Sequence, residues 1–437
     1  NAAFLGDHEG ADVAGGADVR PAAEFHAEVR NAHHSNAVAV FLAEERHRAA
    51  RHGFVVRRLA VFLFGDVALD LFIDALLDGA QLLRRDPLEM AEVEPQMVRR
   101  DERAFLLDVL AEGLAEGGVE EVRGGVVAHD ALPPLGVYRG SAPEEVAAFA
   151  AQGARQPGFG VPHRAAGVEV LHSADVFHVI GGGYINSIWP KHVGALAVGG
   201  ALAEDFGVRV AASGLGLMPS AASGELLDRL TAAYALVDVR DAESRALLSG
   251  PNVRETGDDA FLDVGEGVYD QRETPSNMMC FQSDLVEAGV EALATSAIET
   301  AKAWGLRGDR VGYVEAIPGQ DRTIFEMLEP ELPGIRFYPF TEIWREGLPA
   351  RRGQRWLTSR FHLHLMAAAA GAWGVAFPVK PGYYDVKHES LVSRGSRWAI
   401  GTPGEVAPET HGEKGFGSAL DGLVEPKQAL AREIYDH

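Results

Sequence analysis

The sequence predicts an α/β protein with two Rossmann-like domains. From about residue 141 onward, short apolar segments alternate with longer amphipathic ones, which is the pattern of strands connected by helices. The alternation restarts after residues 263–275, a stretch rich in Pro, Gly and acidic residues. Repeated strand–helix–strand units favour parallel sheets with right-handed crossovers. We therefore predict a first domain over residues 141–262, a linker over 263–275 and a second domain over 276–405.

The first domain is expected to contain three strands separated by two helices. The strands are predicted at residues 175–180, 208–212 and 236–239, and the helices at 192–206 and 224–234. The first strand runs into three consecutive glycines, Gly181, Gly182 and Gly183. Glycines at this place let the backbone approach a ligand or a neighbouring helix closely, and a tight structural turn explains them equally well.

The second domain is expected to contain five strands and four helices. The strands are predicted at residues 277–281, 311–316, 335–338, 356–359 and 374–378, and the helices at 283–304, 323–328, 361–370 and 384–393. Ser283 is expected to cap the first of these helices. Residues 406–437 are predicted to form a C-terminal tail and helix. Two such domains facing each other place ligands in the cleft at the carboxyl ends of their strands.

Residues 1–140 have a different composition from the rest of the chain. They contain no Lys, Thr, Trp or Cys, and the apolar residues from Val55 to Leu77 keep roughly helical spacing. Two interpretations stay open. The segment is either a genuine helical region with a skewed composition, or a poorly ordered stretch translated from DNA that does not normally encode this protein. Its seven histidines lack the fixed spacing of a metal site, so we predict no bound metal there.

Composition and charge exclude several classes of protein. Acidic residues outnumber basic ones by 63 to 40, and a net charge of -23 argues against nucleic acid as a partner. The single cysteine, Cys280, excludes an intramolecular disulfide and is expected to be buried rather than catalytic. The sequence shows no apolar run long enough to cross a bilayer and no secretion signal, so we expect a cytoplasmic location.

Four stretches resemble the polysaccharide pyruvyl transferase family over residues 141–405. They are GGGYIN at 181–186, DVRDAES at 238–244, TGDDAF at 256–261, and SRFHLHLMAAAAG at 359–371 followed by PGYYDVKH at 381–388. The resemblance implies a GT-B-like fold, two Rossmann-like domains that face a cleft. It also implies transfer of a pyruvyl group from phosphoenolpyruvate to a glycan or lipid-linked glycan, usually as a ketal on two hydroxyls, in cell-envelope assembly.

The resemblance has one departure, at the start of the chain. A family member opens with a strand and a Gly-rich turn, followed by several strand–helix units before the triple-glycine motif. Residues 1–140 do not show this pattern of strands, helices and a Gly-rich turn. The first domain is therefore predicted either to be incomplete or to contain those units within the atypical segment.

Candidate site residues lie at predicted strand ends. Arg360 and His362 open a helix that follows a strand, where backbone amides also attract an anion, and Arg240 directly follows another strand. The resemblance implies that Arg360 and Arg240 bind the donor and that His362 is the general acid. A packing role for His362 and a surface pairing of Arg240 with Asp241 are the alternatives.

Further residues complete the predicted cleft. Lys387 is expected to contact the donor phosphate, and Tyr383 and Tyr384 to stack on a sugar, although a core role explains the tyrosines as well. Asn186 either binds an acceptor hydroxyl or caps the next helix. Gly214 is expected to line the cleft.

Other polar residues are assigned structural roles. A turn or hinge is favoured for the adjacent Asp258 and Asp259, because Asp commonly hydrogen-bonds its own backbone in turns. His364 points away from His362 on the same helix and is expected to pack in the core.

The predicted function needs no cofactor beyond its donor substrate and no metal. Its partners are phosphoenolpyruvate and a glycan acceptor, with peripheral contact to a membrane if that acceptor is lipid-linked. Two alternatives stay open. One is a nucleotide-sugar-dependent GT-B glycosyltransferase, and the other is a non-catalytic glycan- or partner-binding protein, should the first domain be truncated.

Overall fold

The computed structural model describes residues 59–62, 142–159, 165–410 and 415–435. The remainder of residues 1–140, with its seven histidines and most of its helical pattern, lies outside the described residues. The prediction that this remainder contains further units of the first domain therefore falls on residues that the structure does not describe.

Within the described residues, the first sheet has five parallel strands in the order β1-β2-β3-β4-β5. Sequential order with parallel pairing means that each strand returns to the same end of the sheet through a crossover. The strands are β1 Leu59–Phe62, β2 Val176–Val179, β3 Arg209–Leu215, β4 Leu236–Val239 and β5 Val253–Glu255.

The second sheet has six parallel strands in the order β11-β10-β9-β6-β7-β8. Its strands are β6 Asn277–Cys280, β7 Val311–Val314, β8 Arg336–Tyr338, β9 Arg355–Thr358, β10 Trp373–Ala376 and β11 Ala399–Ile400. Counted from β6, this is the order 3-2-1-4-5-6 of a dinucleotide-binding Rossmann domain, whose switch point lies between β6 and β9.

Helices connect the strands. They are α1 Pro143–Arg155, α2 Ala165–His172, α3 Val193–Phe206, α4 Gly224–Thr231, α5 Ala242–Ala246, α6 Val290–Ala303, α7 Arg322–Leu328, α8 Phe340–Glu346, α9 Phe361–Ala369, α10 Tyr384–Ser393 and α11 Asp421–Tyr435. The apolar helix α3 packs against β2 and β3 and ends at Gly207, whose left-handed backbone favours glycine.

These elements confirm the predicted α/β class with two Rossmann-like domains, the GT-B-like plan that the resemblance implies. Strand β4 and helix α10 have the predicted bounds. The predicted helix over 283–304 is too long, because α6 begins only at Val290, after Gly289 with φ +87°. Ser283 therefore does not cap that helix, and its hydroxyl donates to the Gln320 carbonyl at 2.6 Å.

The helical interpretation of residues 1–140 is wrong at residues 59–62. These four residues form β1 and pair in parallel with β2, at one edge of the first sheet as far as the described residues define it. A short apolar run fits a buried strand or a helix segment, and its periodicity alone does not distinguish the two. This part of the atypical segment thus contributes a strand that precedes the triple-glycine motif.

The C-terminal helix α11 returns from the second sheet to the first. The buried ammonium of Lys427 donates to Asp238 Oδ2 at 2.5 Å and to Asp259 Oδ1 at 2.7 Å. Burial lowers the pKa of Lys427, but the two carboxylates outweigh burial and raise it. Arg254 and Glu433 add a two-bond ion pair at the surface. Helix α11 thereby covers the carboxyl end of β4.

No helix in the described part of the chain is both long and apolar enough to cross a membrane.

Lys427→Met is expected to destabilise the fold. The substitution leaves the buried carboxylate of Asp238 and the partly buried carboxylate of Asp259 without their cation, which costs about 3–5 kcal/mol of unfolding free energy. Urea unfolding measures this loss. The matched control is Arg432→Met on the exposed side of the same helix, which we expect to change stability by less than about 0.5 kcal/mol. Equal stabilities of the two variants would contradict the role of Lys427.

Acidification is expected to destabilise both sheets. Burial lowers the pKa of His178, in β2, and of His388, on α10, from 6.5 to about 4. Between pH 6.5 and 4 the unfolded chain binds protons that the folded chain does not. Stability is therefore full above that window and falls through it, by about 3 kcal/mol per histidine. Urea unfolding across this range tests the slope, which His178→Gln should reduce. An unchanged slope in that variant would contradict the assignment.

Candidate functional site

The carboxyl ends of the two sheets meet at a shared junction. Tyr383, just before α10, donates its hydroxyl to the Gly183 carbonyl at 2.8 Å. Arg394 donates to the Arg240 carbonyl at 2.9 Å. These bonds join the loops after β2 and β4 to α10 and its C-terminal end. In parallel α/β proteins this edge of a sheet is where ligands bind.

Four side chains form what we call the junction cluster: Arg240, Asp258, His362 and Lys387. Arg240 follows β4 and Asp258 follows β5, so both belong to the first sheet. His362 lies in the first turn of α9, after β9, and Lys387 lies in α10, after β10. Residues far apart in sequence thus meet because each follows a parallel strand.

Arg240 is buried between carboxylates and an aromatic ring. Its Nε donates to Asp241 at 3.2 Å, and its Nη1 lies 3.6 Å from Asp258 Oδ2. Its guanidinium carbon stands 4.9 Å from the centre of the Phe361 ring, a cation–π contact between the two sheets. Burial lowers the pKa of Arg240, but Asp241 and Asp258 outweigh burial and raise it. Arg240 is therefore a fixed, permanently charged group.

Asp258 connects Arg240 to His362. Its Oδ1 accepts a hydrogen bond from the Ala260 amide at 3.0 Å and lies 3.3 Å from His362 Nε2. Burial would raise the pKa of Asp258, but His362 and Arg240 together lower it well below its ordinary value. Asp258 is therefore ionised at neutral pH and can hold the imidazole in one orientation.

His362 is the most accessible member of the junction cluster. Its side chain is 29% exposed, whereas those of Arg240 and Asp258 are buried. With Nε2 directed at Asp258, Nδ1 is the nitrogen left for proton exchange with a ligand. The pair has the geometry of an orienting carboxylate and a general acid–base histidine.

Lys387 is a buried amine surrounded by aromatic rings. Its Nζ lies 3.5 Å from the centre of the Tyr383 ring and 4.7 Å from that of Tyr384. Among the described residues, no carboxylate forms an ion pair with it. Burial and the neighbouring Arg240 lower the pKa of Lys387 well below its ordinary value.

Two glycines make room for these cations. A Cβ on Gly216 would lie 2.4 Å from Arg240 Nη2, and one on Gly183 would lie 2.8 Å from Lys387 Nζ. The other glycines predicted to line the cleft are needed for close backbone packing or for the backbone conformation. Gly181 packs on the Ser213 carbonyl, Gly182 bridges to β3, and Gly214 has φ +56° beside the Asp259 carboxylate.

Arg360, predicted to bind the donor, is engaged by two buried carboxylates. Its Nε donates to Asp321 Oδ1 at 3.1 Å, and its Nη2 lies 2.9 Å from Asp284 Oδ1. Burial lowers the pKa of Arg360, but both acids outweigh burial and raise it. An anionic ligand would compete with them for this guanidinium, as it would with Asp241 and Asp258 for Arg240. Both carboxylates at Arg360 follow strands of the second sheet, so Arg360 does not join the two sheets and is left out of the junction cluster.

The structure also changes the expected roles of three predicted acceptor residues. The rings of Tyr383 and Tyr384 are 1% exposed and enclose the Lys387 amine, so they offer no surface for stacking on a sugar. The amide of Asn186 donates to the Gly183 carbonyl and accepts from the Ile188 amide, and it is fully buried. Asn186 thus stabilises its own turn and does not cap the next helix, since His192 is the residue at the N-terminal cap position of α3.

Asp258 is the site residue that the sequence interpretation missed. Its predicted turn role is correct, since it caps a short 3₁₀ helix, but the contact with His362 comes in addition. The TGDDAF motif was the available signal. Asp259 instead stabilises the loops of the first sheet, because its carboxylate accepts hydrogen bonds from the Gly181 amide and the Ser213 hydroxyl.

The structure agrees with the predicted core positions of two further residues, His364 and Cys280. His364 is buried and bonds to Ser396, and Cys280 is buried. No group of three or more potential ligands for a metal ion occurs among the residues that the structure describes.

Comparisons with known proteins add only distant structural likenesses. No protein-family model and no curated protein matches the chain. A protein assigned as a UDP-N-acetylglucosamine 2-epimerase from Listeria monocytogenes aligns at 11% identity and TM-score 0.39, over 68% of this chain and 82% of its own. MnaA of S. aureus, solved with UDP, aligns at 12% identity and TM-score 0.35, over 68% of this chain and 76% of its own. MurG of Acinetobacter baumannii aligns at 12% identity and TM-score 0.34, over 69% of this chain and 75% of its own. Likenesses this distant carry no conclusion about activity.

Gly216→Ala is expected to disturb the junction cluster. The new methyl group forces the Arg240 guanidinium away from Asp241 and Asp258, at a cost of about 1–3 kcal/mol of unfolding free energy. Gly422→Ala is the matched control, because nothing lies within 4 Å of a Cβ there. That helical substitution should be neutral or stabilise by up to about 1 kcal/mol. Urea unfolding compares the two, and a Gly216→Ala chain as stable as the unsubstituted protein would contradict the packing.

Proposed function

We propose that this protein transfers a pyruvyl group from phosphoenolpyruvate to a sugar of a cell-surface polysaccharide or its precursor. The observation that carries the proposal is the pairing of His362 with the ionised Asp258 beside Arg240 and Lys387. A proton donor next to cationic groups is what an enol phosphate with two anionic ends requires. The four motifs that resemble the pyruvyl transferase family support the same reaction.

The chemistry needs one proton at carbon and two sugar hydroxyls. The acid protonates the methylene carbon, which becomes a methyl group and leaves C2 electrophilic. A sugar hydroxyl adds to C2 and loses its proton. A second hydroxyl then closes the ketal and loses its proton as the bond from C2 to the phosphate oxygen breaks. Phosphoenolpyruvate and a diol thus give a pyruvate ketal and inorganic phosphate, with no cofactor and no redox change.

His362 and Asp258 divide the work of proton transfer. Asp258 holds Nε2, so that Nδ1 delivers the proton to the methylene carbon and can later accept one from a hydroxyl. The carboxylate also stabilises the charged imidazole before transfer. The exposed part of His362 is what gives a substrate access to this otherwise buried group.

The cations bind the two charged ends of the donor. Arg240 stays charged at all relevant pH and presents a planar fork that matches a carboxylate or phosphate. In this proposal Lys387 meets the donor phosphate from the opposite sheet. Arg360 is buried, so it keeps its predicted donor-binding role only if the donor displaces Asp284 or Asp321.

Phosphate release from phosphoenolpyruvate tests the proposed function. The assay supplies candidate glycan acceptors and compares the unsubstituted chain with His362→Ala and Asp258→Asn. Loss of a general acid lowers the rate by about 10²-fold or more, and we expect a smaller loss for Asp258→Asn, which keeps the imidazole. His172→Ala, at a partly exposed histidine outside the junction cluster, is the matched control and should keep the full rate.

The other outcomes separate the rival functions. Release of UDP or GDP from a nucleotide sugar, without phosphate release, would identify a glycosyltransferase in place of a pyruvyl transferase. Turnover of neither donor would favour a non-catalytic binding protein. An unchanged rate for His362→Ala would remove that residue from the mechanism.

A further inference from the structure

The Lys387 amine has an unusual set of neighbours for a lysine. Tyr383 and Tyr384 cover it from the start of α10, and the Gly183 backbone covers it from the loop after β2. Arg240 approaches from the end of β4. The carboxylates of Asp241, Asp258 and Asp284 act on it only at longer range, since none of them pairs with it.

Another cation, Arg240, lies close to Lys387. A Cβ built on Gly183 would lie 2.8 Å from Lys387 Nζ and 3.0 Å from Arg240 Nη2. The two nitrogens are therefore at most about 6 Å apart, a distance at which like charges in a buried site repel strongly. Of the two groups only the lysine can give up its proton under ordinary conditions, because guanidinium stays protonated in proteins.

We propose that Lys387 takes up one proton when a small dianion binds between it and Arg240. This inference rests on the proposed function, because the released inorganic phosphate is such a dianion and phosphoenolpyruvate carries a dianionic phosphate group beside its carboxylate. In the free protein the amine is buried beside Arg240, and both features favour its neutral form. A dianion supplies the missing countercharge, and the charged amine then becomes the favoured form. In this step the neutral amine takes one proton from the solvent and pairs with the bound dianion, so that the product is an ammonium–dianion ion pair.

The proposal assigns Lys387 a different part from Arg240 at the same site. Arg240 attracts the anion at every pH, whereas Lys387 contributes charge only after its proton arrives. Anion affinity should therefore fall as pH rises above the pKa of the free amine, by about tenfold per pH unit. Departure of phosphate then releases the proton again, which returns the site to its starting state.

Isothermal titration calorimetry in two buffers of different ionisation enthalpy measures the proton uptake directly. The full chain is titrated with inorganic phosphate and, separately, with phosphoenolpyruvate at about pH 8.5, where phosphate groups are already dianionic. We expect close to one proton per bound anion with either probe. Uptake with phosphoenolpyruvate alone would still support the proposal and would show that the carboxylate is needed for binding.

Three variants make the assignment specific. Lys387→Arg keeps a permanent charge, so it should bind the anion without proton uptake. Lys387→Met should bind at least tenfold more weakly and without uptake. Its folding should be intact, since an apolar group replaces a buried amine that has no acidic partner. Lys380→Met, at a partly exposed lysine paired with Glu287, is the matched control and should keep the full uptake.

Several results would overturn the inference. They are binding without proton uptake in the unsubstituted chain, equal uptake in Lys387→Arg, and failure of both anions to bind. Turnover separates this inference from the proposed function. If the protein binds phosphate with proton uptake but never releases phosphate from phosphoenolpyruvate, the inference stands and the proposed pyruvyl transfer is wrong. If it transfers the pyruvyl group without proton uptake on binding, only the inference is wrong.

Discussion

The junction between the two sheets depends on one buried carboxylate, that of Asp258. It stands between Arg240 at the end of β4 and His362 at the start of α9, and it accepts a bond from its own turn. Removing either basic partner would leave a buried charge poorly compensated, which is costly in a protein interior. The same interaction thus holds the sheets together and orients the histidine, so stability and chemistry are joined at this residue.

The surroundings of Asp258 explain why the C-terminal helix and the triple-glycine turn matter to the site. The next residue, Asp259, is fixed by Lys427 of the C-terminal helix and by the Gly181 amide of the triple-glycine turn. The backbone that carries Asp258 is therefore anchored to the first sheet from two sides. On the other sheet, Arg360 is fixed by Asp284 and Asp321, which stiffens the strand end that precedes His362. Preorganised supports of this kind are what a proton-transfer site requires.

The sequence predicted the fold well where periodicity is strong and the site only where a residue directly follows a strand. Strand β4 and helix α10 have their predicted bounds, and Arg240, His362 and Lys387 lie together as the strand-end rule implies. Tertiary pairing was not visible. Asp258 looks like a turn residue until the second sheet brings His362 to it. The acids that engage Arg360 come from loops after β6 and β7, and no local pattern in the sequence connects those loops.

The central claim is that the histidine held by Asp258 delivers a solvent-derived proton to the methylene carbon of an enol phosphate. The most direct measurement runs the transfer in deuterium oxide and determines the label in the new methyl group by mass spectrometry or NMR. The account predicts one deuterium in each methyl group formed, and almost no product from His362→Gln. A methyl group without solvent deuterium, or full labelling at an undiminished rate in His362→Gln, would contradict it.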